Sequence, residues 1–292
     1  MTYSIISCPT PLGLWPSGVQ ELGRTLLDHG ISERLSAPVM GEVRSGPYVR
    51  EKDPETKYLN GPAIRDCSLD LAGKVAVERA EGRTPLLLGG DCSIVLGALV
   101  ALRRAGTPRL FHLDGHQDYY DGEGDHSGEV ADMGLGIATG AMHPLLSDID
   151  GLSPYVRPEH AVAFGYRDAE EIASTGGRTL EGSGIPAFDL ARIRRMGLDA
   201  ALDGALDAMG RDAADPIWLH FDTDVVDDGL NPAVDYRLPG GLDWDEVART
   251  LRAVRGTRRL AGVSVSIFNP RLDHDGRIAM ALTQCLVDGL RD

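Results

Sequence analysis

Phe111-His112-Leu113-Asp114-Gly115-His116-Gln117-Asp118 sets two carboxylates and an imidazole at alternate positions, directly after a short apolar run. In an extended chain alternate side chains leave one face, so Asp114, His116 and Asp118 are expected to converge on one small volume. Clustered carboxylates repel one another unless a cation lies between them, and oxygen donors with an imidazole suit a divalent metal. Taken alone, Asp-x-His-x-Asp reads equally well as a polar turn whose aspartates cap the next element. Asp222-Thr223-Asp224, after the apolar run from Ile217 to Phe221, and Cys92, after Gly89-Gly90-Asp91, complete a set of six candidate ligands, four of them carboxylates. That is more negative charge than one divalent ion requires. Two ions roughly 3.5 to 4 Å apart, sharing a carboxylate and a water-derived nucleophile, would balance it and produce that nucleophile near neutral pH.

The elements that must position these residues alternate between strand and helix. Tyr3 to Ser7, Pro85 to Gly89, Arg109 to Asp114, His160 to Gly165, Ile217 to Phe221 and Leu260 to Ile267 read as strands, with a shorter one near Ile185. Most are apolar throughout, as a sheet covered on both faces requires. Helices are expected at Ser68 to Arg79, Ile94 to Arg104, Val130 to Ala138, Asp243 to Arg255 and Gly276 to Leu290, with helical stretches from Leu190 to Met209. A further helix after Ser17 carries Val19, Leu22, Leu26 and Leu27 at helical spacing. Ser17 with Gln20, and Asp243 with Glu246, offer capping boxes. Ser36 to Pro62 reads as a long irregular connection, and Asp121 to Gly128 as a glycine-rich loop carrying His126. The pattern implies one α/β domain over 1–292 with a mostly parallel sheet, whose ligands bind at the carboxyl edge, where all the candidate residues fall.

Composition narrows the function further. With 292 residues, 42% hydrophobic and 25% charged, the chain can bury a large core. A net charge of -15 without a Lys/Arg cluster argues against a nucleic-acid partner. No apolar run approaches the roughly 18 residues that cross a membrane, and Met-Thr-Tyr-Ser does not open a signal peptide, so a cytoplasmic location is expected. Cys8, Cys67 and Cys285 read as core thiols.

Gly-Gly-Asp-Cys-Ser at 89–93, Asp-Gly-His-Gln-Asp at 114–118, Phe-Asp-Thr-Asp at 221–224, Pro-Gly-Gly-Leu at 239–242 and Phe-Asn-Pro at 268–270 together resemble the ordered motifs of the ureohydrolase family. That family contains arginases, agmatinases, formimidoylglutamases and related amidinohydrolases. The resemblance implies a three-layer α/β/α fold and hydrolysis of a guanidino or amidino C–N bond, with urea or a substituted urea released. It also implies two divalent ions, manganese foremost. Carried over, Asp114 and Asp222 would bridge the ions, Cys92 and Asp118 would complete one site, and His116 and Asp224 the other. Asp118 would also orient the nucleophile and pass its proton toward the leaving amine, with His126 as a proton shuttle or substrate contact. Glu170, in a Gly-x-Arg-Asp-like segment with Arg167 and Asp168, together with Asn269 and Asp273, are the candidate contacts for a small guanidino substrate. Family precedent for trimers and hexamers extends to this chain as self-association, although no interface pattern stands out.

Two residues depart from the family. Its usual Gly-Gly-Asp-His-Ser has Cys92 here, and a thiolate shifts preference toward zinc, iron or cobalt. Many guanidine-cleaving members carry Glu-Val-Asn-Pro where this chain has Ile267-Phe268-Asn269-Pro270. Loss of a buried glutamate–guanidinium pair removes about 3 to 5 kcal/mol, which disfavours arginine or agmatine and suits a less basic guanidine such as N-hydroxyarginine. Asp273, His274 and Asp275 either replace that acid or form a solvated turn. Leu230 to Leu238 is a candidate specificity wall. Two other functions compete: a single-zinc deacetylase on the same fold, using Asp114, His116 and Asp222, and a family member without turnover.

Overall fold

The computed structural model describes residues 1–120, 127–175, 177–211 and 213–291. Eight strands form one sheet: β1 (Tyr3–Cys8), β2 (Val39–Glu42), β3 (Thr84–Gly89), β4 (Arg109–Leu113), β5 (Ala161–Phe164), β6 (Ala187–Phe188), β7 (Ile217–Asp222) and β8 (Leu260–Ser266). Their order is β2-β1-β3-β8-β7-β4-β5-β6, and every pairing is parallel. The central strands β3, β4, β7 and β8 are buried along their whole length, which is why they read as unbroken apolar runs.

Helices cover both faces. One layer, with Leu22–Asp28, Leu198–Ala208, Trp244–Gly256 and Arg277–Leu290, packs Leu26, Leu202, Leu251 and Leu286 against Phe111, Leu219 and Val263. The other, with Gly61–Ala80 and Ile94–Ala105, packs Leu71, Val75 and Leu99 around Leu87, Leu110 and Trp218. This is the expected three-layer α/β/α architecture.

Several expectations are corrected. The connection after Ser36 contains the edge strand β2, hidden because its side chains are mostly exposed and show no apolar alternation. The following helix starts at Gly61 and not near Ser68, since Pro62 in the first turn is compatible with a helix start. Ser17 does not cap: its hydroxyl donates to Asp235 at 2.6 Å, and the segment enters through a 3-10 turn at Val19–Glu21. The helical stretches read from Leu190 to Met209 do form, as Leu190–Met196 and Leu198–Ala208 divided at Gly197 (φ 81°). The capping box of Asp243 and Glu246 forms as read.

Candidate metal centre

The crevice opens at the carboxyl ends of β3, β4, β7 and β8, and each strand delivers one part of it. After β3, the chain turns through Gly89 and Gly90 into Ile94–Ala105. A Cβ on Gly90 would lie 1.7 Å from the Thr10 carbonyl oxygen, so only glycine admits this turn. The turn places Cys92 Sγ 2.6 Å from Asp222 Oδ2 and 3.3 Å from Ser266 Oγ, with Cys92 2% exposed.

After β4 the chain leaves the extended conformation, so Asp114, His116 and Asp118 do not converge by strand alternation. A hydrogen-bonded loop brings them together instead. His116 N–H donates to Asp114 Oδ1 (2.7 Å), Gly115 N–H to Asp224 Oδ1 (3.0 Å) and Gln117 N–H to Asp168 Oδ2 (3.0 Å). Asp118 itself lies at φ 49°, in the left-handed region that L-residues rarely occupy. From β7, Asp222 accepts the N–H of Asp224 (2.9 Å), and Asp224 Oδ2 meets His116 Nδ1 at 2.9 Å.

The ligand atoms fall into three overlapping groups, each with all members within 4.8 Å of one another: Cys92, Asp114, His220 and Asp222; His112, Asp114 and Asp118; and Asp114, His116 and Asp224. Asp114 belongs to all three. Asp118 groups with His112 and not with Cys92. His112 and His220 are two buried imidazoles that the motif reading passed over, although each stands two residues before a candidate ligand on the same strand face.

The electrostatics of these residues suit a cation. Burial, then the neighbouring carboxylates, push Asp114 and Asp118 far above the ordinary carboxylate range. Burial and Asp224 do the same to Asp222, and burial and Asp222 raise the Cys92 thiol. Burial would also raise Asp224, but the His116 imidazolium outweighs it and holds that carboxyl low. His116 responds in the opposite sense, since Asp224 overcomes its burial and carries it to about 9. Burial lowers both His112 and His220, the latter to about 3, so both are neutral rings. Asp114 Oδ2, Asp118 Oδ2, His112 Nδ1 and Nε2, and His220 Nε2 are buried without a hydrogen-bond partner among the described residues. Such a set of orphaned donors and acceptors is costly unless cations satisfy it, so these residues fit a divalent metal pair.

The crevice wall is formed by Leu14, Ala131, Asp132, Asp235, Tyr236 and Ile267. Ile267 is 6% exposed and sits at φ 71°, a strained position for a β-branched residue. Asp235 is held by Ser17 (2.6 Å) and by Asn269 Nδ2 (3.1 Å), and Asp132 is pushed up to about 7 by burial and by Glu129. Asp235 and Tyr236 fall inside the 230–238 wall; Asp132 carried no sequence signal beyond standing beside a glycine-rich loop.

The remaining candidate contacts lie elsewhere. Asn269 is buried and, among the described residues, reaches the crevice through Asp235. Glu170 is exposed on the first turn of Ala169–Thr175, and Asp273 accepts the backbone N–H groups of Ile278 and Ala279 and lines a separate cavity with Leu230 and Arg277. Asp273 thus starts the last helix, as the turn reading held. Arg167 donates to the carbonyls of Asp224, Leu238 and Pro239. His126 lies outside the described residues.

Comparison with known proteins gives the family. The arginase family matches residues 38–290. An arginase of Bacillus subtilis (strain 168) is 29% identical over 301 residues, covering 98% of this chain and 97% of that protein. An arginase of Coccidioides posadasii is 30% identical over 274 residues, covering 89% and 83%. The structure of arginase from Bacillus caldovelox superposes with a TM-score of 0.90 at 25% identity, covering 100% of this chain and 98% of that one. Proclavaminate amidino hydrolase from Streptomyces clavuligerus shares the fold at 20% identity, with a TM-score of 0.72 over 99% and 90%. This chain belongs to the arginase family of ureohydrolases, metal-dependent hydrolases of guanidino C–N bonds.

Proposed function

We propose that this chain, acting as one domain, hydrolyses the C–N bond of a weakly basic guanidine such as N-hydroxyarginine. The observation that carries the substrate reading is Ile267, an apolar side chain on the crevice wall at the position where the Glu-Val-Asn-Pro motif of the family resemblance would set an acid. Cys92, Asp114 and Asp222 would hold one ion, with Asp118 beside it at Asp114, and His116 and Asp224 with the shared aspartates the other. Manganese suits the oxygen-rich His116 side, and zinc, iron or cobalt suits the thiolate side. When bound, the ions supply Lewis acidity and lower the pKa of water toward neutrality.

The chain's own groups do the rest. Asp118 orients the attacking water and carries its proton to the leaving nitrogen. Asp132, titrating at about 7 on the crevice wall, can hold a proton near the substrate, and His126 shares that work. Asp235, both of whose oxygens are already hydrogen-bonded, offers a fixed acceptor for a substrate N–H or O–H. For N-hydroxyarginine the balance is one water consumed, with ornithine and hydroxyurea formed. Four free cysteines support a cytoplasmic location. The test is a comparison of kcat/KM for N-hydroxyarginine and arginine with metal-loaded protein; a preference for arginine would overturn the substrate reading.

A further inference from the structure

The sheet register sets a second polar row beneath the carboxylates. His112 of β4 stands opposite His220 of β7, which stands opposite Ser264 of β8. His220 and Asp222, two residues apart, leave β7 on the same face. The two imidazoles are fully buried, with ring centroids 5.1 Å apart.

The hydrogen bonds around His220 leave one of its nitrogens bare. Ser264 Oγ accepts Trp218 Nε1–H at 3.1 Å and lies 2.8 Å from His220 Nδ1. An Nδ1–H donated to the remaining lone pair of Ser264 gives the tautomer whose Nε2 carries no proton. Metal-bound histidines show this arrangement, the second nitrogen being fixed by an oxygen acceptor. Nε2 has no partner among the described residues, and the ring offers a nitrogen within 4.8 Å of Cys92 Sγ and of an oxygen from each of Asp114 and Asp222. A bare nitrogen lone pair facing sulfur and carboxylate oxygens is repelled by all of them unless a cation lies between. The other tautomer is no better, because its Nε2–H would have no acceptor.

We propose that His220 is a metal ligand: the imidazole that position 92 lacks is supplied from the strand row below, and Cys92, Asp114, Asp222 and His220 together hold one ion. The inference rests on the reading of Cys92 as a ligand and goes beyond it. A donor set of one sulfur, one nitrogen and two oxygens would suit zinc or cobalt better than manganese.

The experiment loads the full-length chain anaerobically with cobalt(II). It follows the thiolate-to-cobalt charge-transfer band and counts bound imidazoles by X-ray absorption at the cobalt edge. The expected result is the band together with two imidazoles per pair of ions, from His116 and His220. His220→Phe should lower the count to one, and Ser264→Ala should weaken cobalt at the thiolate site by about 10- to 100-fold, the usual effect of losing the partner behind a ligating histidine. A band with only one imidazole in the unaltered protein would overturn the His220 assignment and leave Cys92 standing. Two bound cobalt ions without the band would overturn the Cys92 reading and the four-ligand set with it. Failure to take up cobalt would overturn both. If His220→Phe does not fold, His112→Phe decides: the count should stay at two, and a fall to one would overturn the His220 assignment.

Discussion

Ile267→Glu should return arginine to this crevice. Residue 267 lines the wall beside Cys92 and His116, and its N–H is tied to the Gly90 carbonyl at 2.9 Å, so a glutamate there is anchored at its backbone. Its φ of 71° is already unfavourable for a β-branched side chain, so an unbranched replacement adds no backbone strain. A charge-assisted hydrogen bond to a guanidinium contributes about 1.5 to 3 kcal/mol, which is roughly a 10- to 150-fold gain in kcat/KM for arginine. An uncharged N-hydroxyguanidine also meets the ionised carboxylate but brings no opposite charge, so its gain falls at the lower end of that range, about 1.5 kcal/mol or roughly 10-fold. The specificity ratio should therefore move toward arginine by up to about an order of magnitude. The assay measures urea and hydroxyurea release under kcat/KM conditions, on protein shown to hold the same metal content as the parent. An unchanged ratio at full metal content would refute the assignment of residue 267 to guanidinium recognition.

Other perturbations test other parts of the site. Asp235→Asn should raise KM by about tenfold with kcat nearly unchanged, as expected for a group that binds substrate and does not move the proton, read by steady-state kinetics. Cys92→His should shift metal preference toward manganese, read as the manganese-to-zinc ratio retained after competitive loading. Gly90→Ala pushes a methyl into the Thr10 carbonyl and should cost about 3 kcal/mol of stability, measured by denaturant unfolding of the metal-free chain. In the metal-free chain, Asp114, Asp118 and Asp222 have raised pKa values. Their contribution is present below the ordinary carboxylate range and is lost as pH rises through the raised values. Metal binding removes that loss, so the Tm difference between loaded and stripped protein should widen from about pH 5 to about pH 8, as thermal unfolding will show.

What could be read in advance follows from which forces leave a local trace. Strands buried on both faces leave apolar runs, so β3, β4, β7 and β8 and the residues at their ends stand out in the sequence. The edge strand Val39–Glu42 leaves none, because one neighbour and an exposed surface impose no pattern. Ser17 looked like a helix cap because the motif is local, while its real partner, Asp235, is 218 residues away. The six candidate ligands were legible from their motifs. His112 and His220 were not, since a histidine inside an apolar strand acquires meaning only when the register sets it beside another strand's carboxylate. Ile267 was legible as a missing acid, but its left-handed backbone and its tie to Gly90 belong to the folded chain.

Hydrolysis of a weakly basic guanidine at a two-metal centre is tested by turnover of two substrates in parallel. Protein loaded with two divalent ions per chain is incubated with N-hydroxyarginine and with arginine, and ornithine, hydroxyurea and urea are quantified together. Ornithine and hydroxyurea are expected in equal amounts from the first substrate, at a higher kcat/KM than urea from the second. Faster urea release from arginine, or no product from either substrate at full metal content, would contradict this reading.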